Sequence, residues 1–442
     1  MNRAKSKVSG WGNYPKVDAC LDPISYPGHL EEALKLSPFI ARGLGRSYGD
    51  SSLAQNMVLT KGMDRVLAFD PEGGTIKCQS GLSLKELLDI FLPRGWFPPV
   101  TPGTKFVTVG GAIASDVHGK NHHKEGSFCR HVTSLELALP DGRTITCSNE
   151  ENADIFRATC GGMGLTGIIM NAALRLKKVE TGYIKQKAIR AASLDEMLEL
   201  FETNGETTYS VAWLDSSKKG GKLGSGILFL GEHAGGEEVK EIKPFLLKTG
   251  KPLSIPFDFP AFFLNGAAIR SLNAVYSIAH SGKLFKSLAD YDAFFYPLDG
   301  ISNWNRIYGK RGFTQYQLVL PKEESREGLR KILSEIRRRG FLSFLTVLKL
   351  FGKENNNLLS FPMEGYTLAL DFPITRDLFA LLNDLDDMVL QHGGRLYLSK
   401  DARMGAETFR KSYRNLPEFI KIKDRLDMNR RIESVQSKRL GV

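Results

Sequence analysis

Cysteine is scarce in this chain: five among 442 residues (Cys20, Cys78, Cys129, Cys147 and Cys160), an odd number with no CxxC pair. Such a set excludes a disulfide-stapled scaffold and a cysteine-rich zinc module. There is no run of about eighteen apolar residues, so no spanning helix is expected. The opening segment, MNRAKSKVSGWGNYPK, lacks the apolar stretch of a secretory leader. A cytoplasmic protein is therefore expected, with peripheral contact at the inner membrane face as its one membrane option. Internal repeats, low-complexity tracts, an HExxH helix and a Gly-Lys-Ser/Thr phosphate loop are also missing.

What is present is a chain that can bury real cores. At 42% apolar content and 442 residues, two or three domains are expected at roughly 150 residues each. The net charge is +11, a surplus that draws anionic partners without choosing among nucleic acid, phosphorylated metabolites and acidic lipid. Residues 401–442 hold eleven basic against six acidic side chains, interleaved with Phe409, Tyr413, Phe419, Ile420 and Leu426. That interleaving reads as the solvated face of an amphipathic helix rather than as a binding tail.

The first 178 residues are rich in glycine and short strand-like runs. Pro140-Asp141-Gly142-Arg143 turns SerLeuGluLeuAlaLeu into ThrIleThrCys as a hairpin. Leu84, Leu87, Leu88 and Phe91 mark a helix that ends at Arg94-Gly95. From about Glu180 the elements lengthen, and a domain boundary is placed at 178–182. Beyond it, Thr314–Leu320, Phe341–Phe351, Tyr366–Phe372 and Arg395–Ser399 read as strands, with helices at Glu323–Arg339 and Arg376–His392. The order βαββαβ predicts an antiparallel sheet backed by helices on one face. The segment Pro252 to Leu264, PLSIPFDFPAFFL, crowds Phe257, Phe259, Phe262 and Phe263 between prolines. It is either a buried irregular loop or an exposed apolar patch.

Three glycine-rich clusters could carry chemistry. Gly162-Met163-Gly164-Leu165-Thr166-Gly167 spells GxGxxG, yet it follows a predicted helix and precedes a predicted strand. A dinucleotide fingerprint needs the reverse order, so a glycine turn is the better reading. The run Ala41-Arg42-Gly43-Leu44-Gly45-Arg46-Ser47-Tyr48-Gly49-Asp50 can converge backbone N–H groups on an anion, with Arg46 and Ser47 adding charge and a donor. An ordinary tight turn explains the same letters. The third cluster spans Pro102-Gly103-Thr104 and Thr108-Val109-Gly110-Gly111-Ala112-Ile113-Ala114-Ser115-Asp116-Val117-His118-Gly119-Lys120-Asn121-His122-His123. Its histidines lack zinc-ligand spacing, so no metal is expected, and polar lining of a cleft accounts for it better.

Together, GLGRSYGD, PGT…TVGGAIASDVHGKNHH, SLELALPDGRTITC and GGMGLTGIIM resemble the FAD-binding half of vanillyl-alcohol-oxidase type (PCMH-type) flavoproteins. GKNHHKEGSFCRHV, YSVAWLD, FFYPLDGISNWNR, QYQLVLP, LKLFG, LDFP and GGRLYLSKDARMGAETF extend the resemblance, in order, to the oxidases of polyprenylphosphoryl-ribose 2′-epimerisation. The resemblance implies an α+β fold: a two-part FAD-binding domain, residues 1–178 with 394–442 returning to it, and an inserted antiparallel-sheet-plus-helices substrate domain, 179–393. It places Ala41 to Asp50 at the FAD pyrophosphate. Gly103, Thr108, Val109, Gly110, Gly111, Ser115, Asp116, Val117, His118, Ile169 and Tyr397 fall along the cofactor. Lys400, His118 and Tyr48 become the catalytic candidates, and Lys120, Tyr296, Gln317 and Lys349 the substrate contacts. No histidine matches a covalent anchor, so dissociable FAD is expected.

The implied reaction is FAD-dependent oxidation of a lipid-linked sugar phosphate at its 2′-hydroxyl by hydride transfer to flavin N5. The product is a 2′-keto sugar for a separate reductase, on the way to an arabinose precursor of cell-wall polysaccharide. The chain departs from the pattern at Thr367 and at Ala369-Leu370, where relatives carry asparagine and cysteine; oxidation needs neither. Two other readings stand beside this one: an FAD oxidase of a free sugar, alditol or aldonolactone, and a non-catalytic basic binding protein. No nucleic-acid-binding motif supports the latter.

Overall fold

The computed structural model describes residues 4–240, 243–245, 253–260, 270 and 284–442. Two large antiparallel sheets organise it. The first contains, in order, Val66–Asp70, Thr75–Gln79, Ile168–Arg175, Val132–Ala138 and Thr144–Ser148. The last two strands form the hairpin that Pro140 to Arg143 predicts. Beside this sheet, a smaller one runs Ser6–Ser9, Lys16–Pro23, Asn56–Leu59 and Ile40–Arg42, its last two pairings parallel. The helix Leu84–Phe91 begins at a capping box, with the Ser83 and Glu86 side chains each bonding the other's backbone N–H, and buries the predicted Leu84, Leu87, Leu88 and Phe91.

The second large sheet has eight strands, in the order Leu284–Asp290, Tyr183–Ala191, Gly226–His233, Tyr209–Leu214, Thr346–Phe351, Gly365–Pro373, Phe313–Pro321 and Arg395–Leu396. The predicted βαββαβ order supplies its last four strands and the helices Lys322–Arg338 and Leu378–Gln391. Helix Lys322–Arg338 opens on Glu323 and Glu324, closes on Arg337 and Arg338, and buries Leu329, Ile332, Leu333 and Ile336. Both the dipole and the 3.6-residue stripe favour it there. Strand alternation splits the sheet: Leu318, Leu320, Leu348, Leu368, Leu370 and Phe372 join the core, and the alternate residues face elsewhere.

Two strand predictions were too long. Phe341 to Leu345 stay outside the ladder because the Ser343 hydroxyl donates to Leu345 O at 2.6 Å and accepts from the Asp371 N–H at 3.0 Å. The strand therefore starts at Thr346. The last strand stops at Leu396, where the chain turns with Lys400 N–H donating to Tyr397 O at 2.9 Å. The GxGxxG letters join helix Ala153–Thr159 to strand Ile168–Arg175, with φ of +53° at Met163 and +78° at Gly164.

The C-terminal segment folds back on the N-terminal elements. Ile432 bridges Phe39, and Arg425 pairs with Asp154. Arg439 grips Asp50 with two hydrogen bonds, at 2.9 and 3.1 Å, and Asp401 with a third at 2.8 Å. Both carboxylates are buried. Arg439→Ala leaves them facing each other without a cation and should cost about 3–5 kcal/mol in denaturant unfolding. Burial raises the Asp50 carboxyl even with Arg439 present. Without the guanidinium the folded state holds that proton more tightly than the unfolded chain does, so the deficit should shrink as pH falls.

Candidate active site

The alternate residues of the eight-stranded sheet form one wall of a cleft of about 750 Å³. Register sets neighbours on that wall: Gln315 opposite Asp371, Gln317 opposite Ala369, Lys349 opposite Thr367. Opposite lie the glycine-rich segments 41–50 and 102–123, the start of strand Ile168–Arg175 and Tyr397 to Lys400, which bring Tyr48, Thr108, His118, Lys120, Ile169, Tyr397 and Lys400 into the same lining.

The first glycine loop is shaped by close approaches. A Cβ on Gly43 would lie 2.3 Å from Thr108 Oγ1, and one on Gly45, where φ is +63°, would lie 2.2 Å from the Arg42 guanidinium. Arg42 itself is committed to protein acceptors, Ser9 O at 2.7 Å and Ser52 O and Oγ at 3.2 Å. It therefore braces the loop while also lining the cleft. Arg46 lies over the Trp11 ring at 4.0 Å and lines the cleft. Thr108 caps the short helix Val109–Ala114 by accepting from Gly111 N–H.

Several expected cofactor contacts sit behind the lining. Val109 is fully buried, Gly49 packs on Asp401 O, and Asp50 is held by Arg439. Asp116, with φ of +38°, accepts from Cys129 N–H at 2.9 Å, Asn355 Nδ2 at 2.7 Å, Asn357 Nδ2 at 3.0 Å and Ser360 Oγ at 2.6 Å. Tyr296 is buried too, its hydroxyl 2.5 Å from Thr101 Oγ1. Thr101 lines the cleft there. His122 and His123 engage Gly352 N–H and Thr207 O. Among the described residues no cluster of His, Cys, Asp and Glu could hold a metal ion.

Charge inside the cleft is mostly positive. Burial lowers Lys120 to about 7 and Lys349 to about 8. Lys120 donates to Phe294 O. Lys400 lies over the Tyr48 ring at 3.6 Å; burial pulls it to about 7, with Asp371 opposing the shift and Lys349 adding to it. Asp371 is fully buried and pushed up to about 7 by that burial, while hydrogen bonds from Gln315 at 2.6 Å and Tyr308 at 3.4 Å favour its charged form. Burial also drives the Tyr48 hydroxyl far above its usual range and His118 far below its own.

Sequence reasoning missed Asp371, Gln315 and the Trp11–Arg46 stack. A signal existed for Asp371: it is the one acid in GYTLALDFP, two and four residues on from Ala369 and Thr367, hence on their face.

The residues suit FAD. The loop from Arg42 to Tyr48 leaves backbone exposed where side chains would collide, Gly103 opens onto free space, and the Ser80 hydroxyl, which lines the cleft, has no hydrogen-bond partner. A cleft of this size lies within the range of about 300–1,000 Å³ used for cofactors and ligands.

Comparison with known proteins agrees. Residues 31–148 match the FAD binding domain family. The chain is 37% identical over 451 residues to decaprenylphosphoryl-β-D-ribose oxidase of Mycolicibacterium smegmatis, covering 98% of this chain and 97% of that one. It is 31% identical over 173 residues to mouse L-gulonolactone oxidase, or 37% of this chain and 39% of that one. With D-lactate dehydrogenase of Archaeoglobus fulgidus it shares 32% identity over 139 residues, 30% of this chain and 31% of the other. The partial matches extend the kinship to other oxidoreductases, and the end-to-end match is decisive: the chain belongs to the decaprenylphosphoryl-β-D-ribose oxidase family and is an FAD-dependent oxidoreductase acting on a hydroxyl group, with a vanillyl-alcohol-oxidase type α+β fold.

Proposed function

We propose that this enzyme oxidises the 2′-hydroxyl of a ribose joined through phosphate to a polyprenyl lipid, and that a separate reductase acts on the resulting 2′-keto sugar. The observation that carries the reading is the meeting, in one cleft, of the glycine cradle with Lys400 and Asp371, in a chain that aligns end to end with such an oxidase. Residues 1–178 and 394–442 would hold FAD and 179–393 the substrate. FAD is held without a covalent bond: the described lining contains no cysteine and one histidine, His118, whose Nε2 meets Gln317.

When bound, FAD supplies flavin N5 as acceptor of the hydride leaving the alcohol carbon. This chain's residues manage the other hydrogen. Burial pulls Lys400 down to about 7, so the neutral amine comes within reach near neutral pH. It takes the hydroxyl proton at Nζ as the carbon–oxygen bond becomes a carbonyl, and the ammonium formed is steadied by the Tyr48 ring and by Asp371. Gln315 and Tyr308 hold the Asp371 carboxylate in place. Lys120 and Lys349 add positive potential that favours an anionic substrate.

An apolar strip leads outward from this site. Ile301 lines the cleft and pairs with Leu253, which is 77% exposed. Phe257 is 62% exposed and its ring lies 5.7 Å from that of half-buried Phe259. Phe262 and Phe263 lie outside the described residues. Among the described residues no helix is long and apolar enough to cross a membrane. The strip suits a prenyl tail or a membrane surface that the enzyme touches from one side.

Four outcomes are expected. Gly43→Val, which drives a side chain into Thr108, should weaken FAD retention at least about tenfold, some 1.4 kcal/mol, measured as flavin released by dilution with the fold intact by circular dichroism. Lys400→Ala should keep FAD and slow anaerobic flavin reduction by substrate on the order of 100-fold or more. In the wild type that rate should fall as pH drops below about 7, because Lys400 then gains its proton before the substrate can offer one. A rate that instead falls above pH 7 assigns Lys400 the role of a fixed ammonium. Leu253→Ser with Phe257→Ser should reduce vesicle binding and turnover of the lipid-linked sugar while the melting temperature stays nearly constant; a large drop in melting temperature would mark these side chains as core.

A further inference from the structure

We propose that Thr367 and Gln317 lock His118 in its neutral Nδ1–H tautomer, making Thr367 a positioning residue and removing His118 from the proton acceptors of the reaction. The inference rests on the flavoenzyme reading only for its consequence; the tautomer itself follows from hydrogen-bond directions.

The chain of donors begins on the strand Gly365–Pro373. The Thr367 hydroxyl has one hydrogen, and it donates that hydrogen to Leu318 O at 2.8 Å. Towards Gln317, whose Nε2 lies 3.1 Å away, Thr367 can then act only as acceptor. This fixes which end of the Gln317 amide is nitrogen. The second amide hydrogen of the same Nε2 points to His118 Nε2, also at 3.1 Å. A donor facing a ring nitrogen requires a lone pair there, so the imidazole proton sits on Nδ1.

The surroundings forbid a second proton. The His118 ring is enclosed by Phe351, Phe361 and Tyr397, with centroids at 4.7, 5.7 and 5.2 Å. The charged and titratable groups acting on it are Lys349 from the strand Thr346–Phe351, His122 from the short helix His122–Glu125 and Lys400 from the turn after Leu396, and all three disfavour a cation. Protonation at Nε2 would also set an N–H against the Gln317 N–H. Nδ1 has no hydrogen-bond partner within the protein and is out of solvent. His118 thus shapes the floor of the cleft as a neutral ring, and Lys400 with Asp371 remains to take the proton.

Long-range proton–nitrogen correlation spectra of the FAD-loaded enzyme labelled with [15N]histidine test this, with the His118 signal identified by its loss in His118→Asn. The wild type should show Nδ1 protonated and Nε2 unprotonated, unchanged from about pH 6 to about pH 9, a range across which a free imidazole would titrate. Thr367→Val removes the acceptor that fixes the amide; the signal should shift towards the Nε2–H form, and Thr367→Ser should restore it. Gln317→Glu replaces the donor with a carboxylate and should move the proton to Nε2 outright, a second test if the valine variant fails to fold. An Nε2–H wild type, a ring that titrates in this range, or a folded Thr367→Val with the wild-type pattern would overturn the proposal. Substrate-driven flavin bleaching in the same samples separates the two ideas: correct tautomer without bleaching contradicts the substrate reading alone, and the opposite result contradicts this inference alone.

Discussion

Three lysine side chains, Lys120, Lys349 and Lys400, are partly buried along one cleft, and the partial loss of their hydration governs the site. Moving an ammonium from water into a protein interior costs several kcal/mol per ion even after relaxation, so each amine is drawn towards its neutral form. Asp371 offsets this for Lys400, and its own carboxyl rises in turn for the same reason. The pair is poised near neutral pH, where a proton can be received and given up. The same excess of positive charge that makes the empty cleft costly makes it receptive to a dinucleotide pyrophosphate and a sugar phosphate.

Holding that cleft together requires segments far apart in sequence to stay in contact. Asp116 does much of this: its four hydrogen bonds join the loop that carries His118 and Lys120 to Cys129 on one side and to Asn355, Asn357 and Ser360 on the other. The left-handed backbone at Asp116 aims its carboxylate away from the cleft while Ser115 and Val117 line it. Arg439 plays the equivalent part at the other edge, clamping the first glycine loop to the turn that presents Lys400. Both devices spend buried, fully hydrogen-bonded charge on holding geometry.

Much of the fold was legible because it is local. The Leu84 to Phe91 stripe, the Pro140 to Arg143 turn and the βαββαβ order each rest on periodicity within a few dozen residues. The errors fell where distant partners decide. Leu345 and Ser343 leave the ladder because they bond to Asp371, and the last strand ends early because Tyr397 and Lys400 close a turn. The glycine-rich clusters could be singled out from the sequence, since their letters are unusual, whereas Lys400 stood out only through the family resemblance of its motif. Asp371 could not be ranked, because its meaning comes from Lys400, Gln315 and Tyr308, which only the sheet register and domain packing bring near. Tyr296, placed among the substrate contacts by its motif, is buried with its hydroxyl 2.5 Å from Thr101 Oγ1, and Thr101 lines the cleft.

The most direct test of the account is anaerobic mixing of the purified flavoenzyme with polyprenylphosphoryl ribose, followed by borodeuteride trapping and mass spectrometry of the sugar. The account predicts that the flavin bleaches and that deuterium is incorporated at C2′ of the recovered pentose. Bleaching by a free alditol or aldonolactone together with an unreactive lipid-linked ribose, or deuterium at another carbon, would contradict it.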